Sequence, residues 1–271
     1  MNNKKKWLLI LLLVVGLVLT VAVTAIVSIN NSDTVNGDSS TNDNVQSNEA
    51  ETDRQNDNAM PSSHIIDNVP VIKQESPLNA GCETYACTML LQSQGIDMDQ
   101  FEFANEYLVQ KPIYCSGGEN WYGPDMDSAY VGEIEWGYGV NSPAMGKFMN
   151  QMLTDKGSEK RAQVLSNVEL EQLCKGYIAN DIPVMIWATT NMQEPYVMRI
   201  WSINYVDEEI SDAQIGDAEQ WLQNEHCLVL IGYDELNYYF ADSVAGDVSV
   251  FDKETVKIRY EELDMQAIVV K

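Results

Sequence analysis

The pattern of apolar and polar positions divides the chain into three parts. Residues 1–6 are polar and basic, and Trp7–Ser28 then runs without a charged residue. At about 1.5 Å rise per residue, such a run crosses the roughly 30 Å hydrocarbon core of a bilayer as one helix. Lysines precede it and acidic or polar residues follow it. That asymmetry predicts a cytoplasmic N-terminus and an extracytoplasmic remainder. A secretory signal cleaved near Val23-Thr24-Ala25 is the rival reading. The apolar run exceeds the roughly 7–15 residues of a signal core, which favours an uncleaved anchor in the cell membrane. Residues 29–64 are mostly Asn, Ser, Asp and Thr. They offer too little apolar surface to offset chain entropy, so a disordered acidic stalk is expected. Aromatic and apolar runs return from residue 65 and continue to 271, a length that suits one domain.

Within that domain the periodicity predicts helices first and strands mostly afterwards. Asn68–Gln74 reads as a short strand. Helices are expected at Cys82–Gln94, stopped by Gly95, and at Asp97–Gln110, with Pro112 beyond its end. Residues 119–139 are rich in glycine and aromatics and read as loop with at most one short helix. Ser142-Pro143 opens a further helix that closes at Gly157. Leu170, Leu173, Cys174, Tyr177 and Ile178 form a core-facing helical stripe. Pro183–Thr189 is a buried strand. Cys227–Tyr233 and Asn237–Asp242 flank Asp234-Glu235-Leu236 and predict an antiparallel hairpin. A helical piece at 254–263 and a strand at 265–271 complete an α+β class.

The formal charge of −25 argues against nucleic acid and anionic lipid surfaces as partners, because so acidic a chain offers little to neutralise phosphate. Five cysteines lie beyond the anchor. Cys174 falls on the apolar stripe, and strand alternation turns Cys227 away from His226. Cys87 shares a helix with Cys82, a poor geometry for a disulfide between them. The absence of a CxxC pair and a single histidine within the domain argue against zinc, and no cofactor is expected. Trp201–Gln223, acidic and partly aromatic, is either a β-rich excursion at a cleft rim or a solvated loop.

Cys82 stands out because it begins a predicted helix with glycine before it. A helix N-terminus and a nearby imidazolium both favour a thiolate. Of the two histidines, His64 falls at the stalk boundary, whereas His226 opens the first hairpin strand. The hairpin lays the start of that strand beside the end of the next, which brings Asp242 near His226. Asp234 is the other candidate to orient the imidazole, but it sits at the turn. Gln74, at the end of the first predicted strand, offers a side-chain amide to an oxyanion.

VPVIKQESPLNAGCETYACTMLLQSQG and NEHCLVLIGYDELNYYFADS together resemble the bacterial peptidase C39-like family of papain-like cysteine peptidases. The first block is an apolar strand ending in Gln, a loop, Gly-Cys-Glu and a small-residue helix. The second is a His-containing hairpin ending in Asp. The Cys-to-His spacing of 144 residues falls in the roughly 130–150 of papain-like enzymes. AYVGEIEWGYGVNSPAM and YEELDMQAIVV extend the likeness across residues 65–271. The resemblance implies a papain-like fold, N-terminal helices on a C-terminal antiparallel sheet, and thiol-dependent amide hydrolysis of a peptide or protein substrate. It makes Cys82 the nucleophile, His226 the base and then acid, Asp242 its orienter and Gln74 the oxyanion donor. Two positions depart from the pattern: Glu225 stands where glycine would precede the histidine, and Ser243 where proline would follow the aspartate. The same geometry would also serve a cell-wall peptide hydrolase, a transamidase or a non-enzymatic peptide-binding module.

Overall fold

The computed structural model describes residues 60–271. The expected membrane helix Trp7–Ser28 and nearly all of the expected stalk lie outside the described residues. Among the described residues no helix is long and apolar enough to cross a membrane. A two-residue strand, β1 (His64–Ile65), comes first, and a segment of turns and irregular chain leads to helix α1 (Cys82–Ser93). Every residue from Glu83 to Leu91 is buried, so α1 is enclosed on all sides until its last turn, where Gln92 is exposed. Enclosure on that scale holds its first residue, Cys82, in a fixed place.

Helix α2 (Gln100–Glu106) is shorter than the periodicity predicts. Asp99 caps it by accepting from the amides of Phe101 and Glu102, which sets the start at Gln100, three residues later than Asp97. Its expected last turn is lost because Gln110–Lys111 forms strand β2 instead. The chain continues through β3 (Tyr114–Ser116), β4 (Asn120–Pro124) and β5 (Tyr130–Val131), so the expected loop at 119–139 contains two strands and no helix. β2 pairs with β5 in parallel. Helix α3 (Ser142–Asp155) begins with Pro143 in its first turn, as expected, and β6 (Ala162–Ser166) follows. α4 (Leu170–Gly176) buries Leu170, Leu173 and Cys174, and a short 3-10 turn beyond it buries Ile178.

The remaining elements are β7 (Val184–Thr189), β8 (Tyr196–Tyr205), β9 (Ala218–Gln223), β10 (Glu225–Tyr233), β11 (Asn237–Asp242), β12 (Asp247–Asp252), α5 (Lys253–Glu262) and β13 (Gln266–Val270). The main sheet runs β12-β11-β10-β7-β13-β6, with β1 paired to the far end of β10, and all its pairings are antiparallel. Successive residues of β7 and of β10 from His226 on are buried, so both faces of the sheet centre are covered. α1 packs on β10 and β7, and α5 on β7 and β12. A second sheet, β3-β4-β8-β9, holds a separate apolar cluster around Met126, Val131 and Trp201. Trp201–Gln223 is thus a β excursion, with β8 and β9 antiparallel.

Asn68–Gln74 forms no strand: Asn68 belongs to a turn, and residues 69–74 have no regular secondary structure. Pro70 has no amide hydrogen to give a ladder. The Ile72 amide turns to Met89 Sδ at 3.3 Å, and only Gln74 donates across to a strand end, to Ser243 O at 2.8 Å. The segment therefore lies along α1 rather than beside a strand, and that path delivers the Gln74 side chain to the start of the helix.

Candidate active site

Three parts of the chain meet at the start of α1. Gly81 ends the preceding loop without a side-chain cap, leaving the first backbone amides of the helix without intrahelical acceptors. β10 places His226 opposite Ala188 of β7. The β10–β11 register pairs Val229 with Ala241, and the short turn between the strands leaves Asp242 near His226. His226 Nε2 and Asp242 Oδ1 are 2.8 Å apart, and both side chains are almost wholly buried.

Asp242 is held from several directions. Oδ1 also accepts from the amides of Val244 (3.0 Å) and Ala245 (3.3 Å), and Oδ2 accepts from the Ser249 hydroxyl (2.8 Å). Burial alone would raise its pKa, but the His226 contact and the Ser249 and Ala245 hydrogen bonds outweigh it and hold the carboxyl below the usual carboxylate range. Asp234, the alternative orienter, is occupied at the hairpin turn. It accepts from the Tyr239 hydroxyl and the Leu236 and Asn237 amides, which pull it down to about 2. His64, at the opposite end of β10 in strand β1, contacts Asp181 at 2.8 Å and takes no part in the site.

Cys82, His226 and Gln74 line one cleft of about 140 Å³, together with Tyr138, Trp221 and Glu225. Asp242 stands behind His226. With Nε2 committed to Asp242, Nδ1 is the ring nitrogen left for another partner. Gln74 is more constrained than a free amide. Its Nε2 donates to Asn79 O (2.7 Å) and Leu78 O (3.2 Å), and its Oε1 accepts from the Ser243 hydroxyl (3.1 Å).

The surroundings of the thiol differ from the sequence expectation. Cys82 Sγ donates to Glu83 Oε2 at 3.3 Å. Burial, then the carboxyls of Glu83 and Glu225, push the thiol well above its ordinary range, against a smaller opposing pull from the Cys227 amide. The two acids come together through the fold alone. Glu83 Oε1 accepts the Val140 amide (2.9 Å), and Glu225 Oε2 accepts the Trp221 indole N–H (2.7 Å). Burial, and for Glu225 also the nearness of Glu83, raises both carboxyls. The sequence signalled Glu225 only as an unusual residue before His226, and nothing in it signalled contact with Glu83.

Gly139 is what lets this pair close. A Cβ there would stand 2.6 Å from Glu83 Oε1 and 2.9 Å from Glu225 Oε2, and its φ of +121° is one that side-chain-bearing residues avoid. Gly139→Ala is expected to cost at least about 2 kcal/mol from strain and overpacking. Urea unfolding of the variant measures that loss, and an unchanged midpoint would contradict the geometry described.

The other cysteines are free. Cys87, Cys174 and Cys227 are buried and Cys115 is exposed. Burial pushes Cys87 and Cys227 well above the ordinary thiol range and Cys174 up to about 12, so none of the three competes as a nucleophile.

Helices packed on an antiparallel sheet, with cysteine at a helix start and histidine on the adjoining strand, make up a papain-like fold. The chain belongs to the Peptidase_C39 like family, whose model matches residues 66–268. It is accordingly a cysteine-type peptidase. A solved C39-like peptidase from Bacillus anthracis is similar to it, with TM-score 0.63 and 25% identity over 78% of this chain and 98% of that one. Xylellain, a cysteine protease from Xylella fastidiosa, aligns more loosely, with TM-score 0.37 and 12% identity over 79% of this chain and 87% of that one. No curated protein matches the chain.

Proposed function

We propose that the protein is a membrane-anchored, extracytoplasmic cysteine peptidase that cuts peptide bonds through Cys82, His226 and Asp242, with Gln74 as an oxyanion donor. The observation that carries this reading is that Cys82 and His226 line one cleft, with His226 backed by its buried contact to Asp242. Burial and the neighbouring carboxyls disfavour a free thiolate, so attack is coupled to proton removal. His226 Nδ1 takes the Sγ proton as sulfur bonds to the scissile carbonyl carbon. Negative charge then develops on the carbonyl oxygen, where Gln74 Nε2 and the free amides at the start of α1 stabilise it. Collapse breaks the C–N bond, the amine leaves with the proton from His226, and a thioester on Cys82 remains. Water, deprotonated by His226, attacks the thioester carbonyl and releases the acid and the thiol. Asp242 accepts from Nε2–H throughout and stabilises the transient imidazolium.

The test of hydrolysis is to incubate the wild-type protein and Cys82→Ala with a mixed protein digest and to read new peptide termini by mass spectrometry. New termini are expected with wild type only. Equal yields from both proteins would remove Cys82 from the reaction. The anchor, argued from Trp7–Ser28, predicts that the full chain stays in membranes washed with alkaline carbonate, while a chain beginning after residue 30 is released. Release of the full, unprocessed chain would rule out the span.

A further inference from the structure

Ser243 stands where the family pattern led to an expectation of proline, and it is wholly buried. It grips Gln74 at two points. Its carbonyl accepts the Gln74 backbone amide at 2.8 Å, and its hydroxyl donates to Gln74 Oε1 at 3.1 Å. The direction of the second bond is fixed, since an amide oxygen can only accept. Two backbone carbonyls face the other end of the same side chain, Asn79 O at 2.7 Å and Leu78 O at 3.2 Å. A hydroxyl donor on one side and two acceptors on the other allow a single orientation of the amide.

This arrangement leaves both Gln74 N–H groups engaged before any substrate arrives. One of the bonds is readily exchanged. The contact to Leu78 O is the longer, and Leu78 O also accepts from the Gly81 amide at 3.2 Å. Giving up Gln74 therefore leaves no orphaned carbonyl in the loop before Cys82. A neutral substrate carbonyl gains little by displacing Leu78 O, because one neutral acceptor replaces another. An oxyanion gains more, because charge-assisted hydrogen bonds are shorter and stronger. The exchange thus favours the transition state over the bound substrate.

We propose that Ser243 is a positioning residue for the oxyanion donor: it anchors Gln74 Oε1 while Nε2 trades the Leu78 carbonyl for the developing oxyanion. This rests on the reading of Gln74 as that donor. Loss of the hydroxyl frees the amide to tilt and weakens stabilisation that exists only in the transition state, so kcat falls and KM does not change.

The experiment is a double-mutant cycle on the full chain, with dye-labelled casein as substrate. Ser243→Ala is expected to lower kcat about tenfold, in line with the loss of one oriented hydrogen bond, with KM unchanged. Gln74→Ala is expected to lower kcat by about 10²–10³-fold, and the double variant should be no slower than Gln74→Ala. The rate at which iodoacetamide alkylates Cys82 should be the same in Ser243→Ala and wild type, because alkylation needs no oxyanion donor. A merely structural lesion would move that rate too. Should the alanine variant not fold, Ser243→Cys keeps the volume with a weak donor and carries the same kinetic expectation. Wild-type kcat in the Ser243 variants, or effects that multiply in the double variant, would overturn the proposal. Wild-type kcat in Gln74→Ala would instead overturn the donor role itself, and the two failures are distinguishable.

Discussion

His226→Ala is expected to lower kcat/KM by about 10³-fold, near the middle of the contribution of a positioned general base. The loss should be that large because burial and the Glu83 and Glu225 carboxyls disfavour a thiolate at Cys82, so attack depends on a group that takes the Sγ proton. Glu83 is the neighbour that accepts from Sγ, but two nearby acids oppose formation of a thiolate and cannot replace the imidazole. Folding should survive the change. Asp242 keeps the Ser249 hydroxyl and the Val244 and Ala245 amides when His226 is removed, so its buried charge stays solvated by hydrogen bonds. Stopped assays of peptide hydrolysis alongside circular dichroism separate the two effects. A variant that is folded and retains more than a tenth of wild-type kcat/KM would show that His226 is not the base.

Asp242→Ala should fail differently from Asp242→Asn. Alanine strands the Ser249, Val244 and Ala245 donors and leaves the imidazole free to turn. A loss of about 2–3 kcal/mol in stability is expected, together with at least about 10²-fold in kcat/KM. Asparagine can accept from Nε2–H through its Oδ1 and can donate to Ser249, whose hydroxyl rotates to accept. It should therefore keep the fold and much of the activity. The pH response provides a further check. The folded pKa of Asp242 lies below its unfolded value, so its contribution to stability is complete above the ordinary carboxylate range and is lost as pH falls through the folded value. Wild type should lose stability between neutral pH and about pH 3 more steeply than Asp242→Asn, which has no carboxyl to protonate. Identical urea midpoints for the two proteins across that range would contradict the assigned environment.

The parts of the fold legible in the sequence are those set by local pattern. α1, α3, β7 and the β10–β11 hairpin follow from unbroken apolar runs and short turns. The hairpin in turn made the nearness of His226 and Asp242 readable, because a short connection fixes which ends meet. The β3-β4-β8-β9 sheet was only half visible. β4 pairs in parallel with β8 across a long stretch of chain, and no local signal specifies such a partner. Asn68–Gln74 misled because its alternation suits a strand, while Pro70 and the Ile72–Met89 contact remove the ladder. The least legible feature was chemical. Glu83 and Glu225 lie far apart in sequence and meet only because Gly139 leaves room for both carboxyls. They oppose the thiolate that a helix N-terminus and an imidazolium would favour. Ser243 was visible as a departure, but its hold on Gln74 depends on a segment that runs along α1 instead of pairing as a strand.

The central claim is that one thiol, Cys82, carries the hydrolysis. Alkylation with iodoacetamide, followed site by site with mass spectrometry while casein hydrolysis is assayed in parallel, tests it most directly. Cys115 is exposed and should label without effect, and Cys87, Cys174 and Cys227 should stay unlabelled in the folded protein. Activity should fall in direct proportion to the unlabelled fraction of Cys82 and reach zero when that site is fully modified. Hydrolysis that persists with Cys82 fully alkylated would contradict the account.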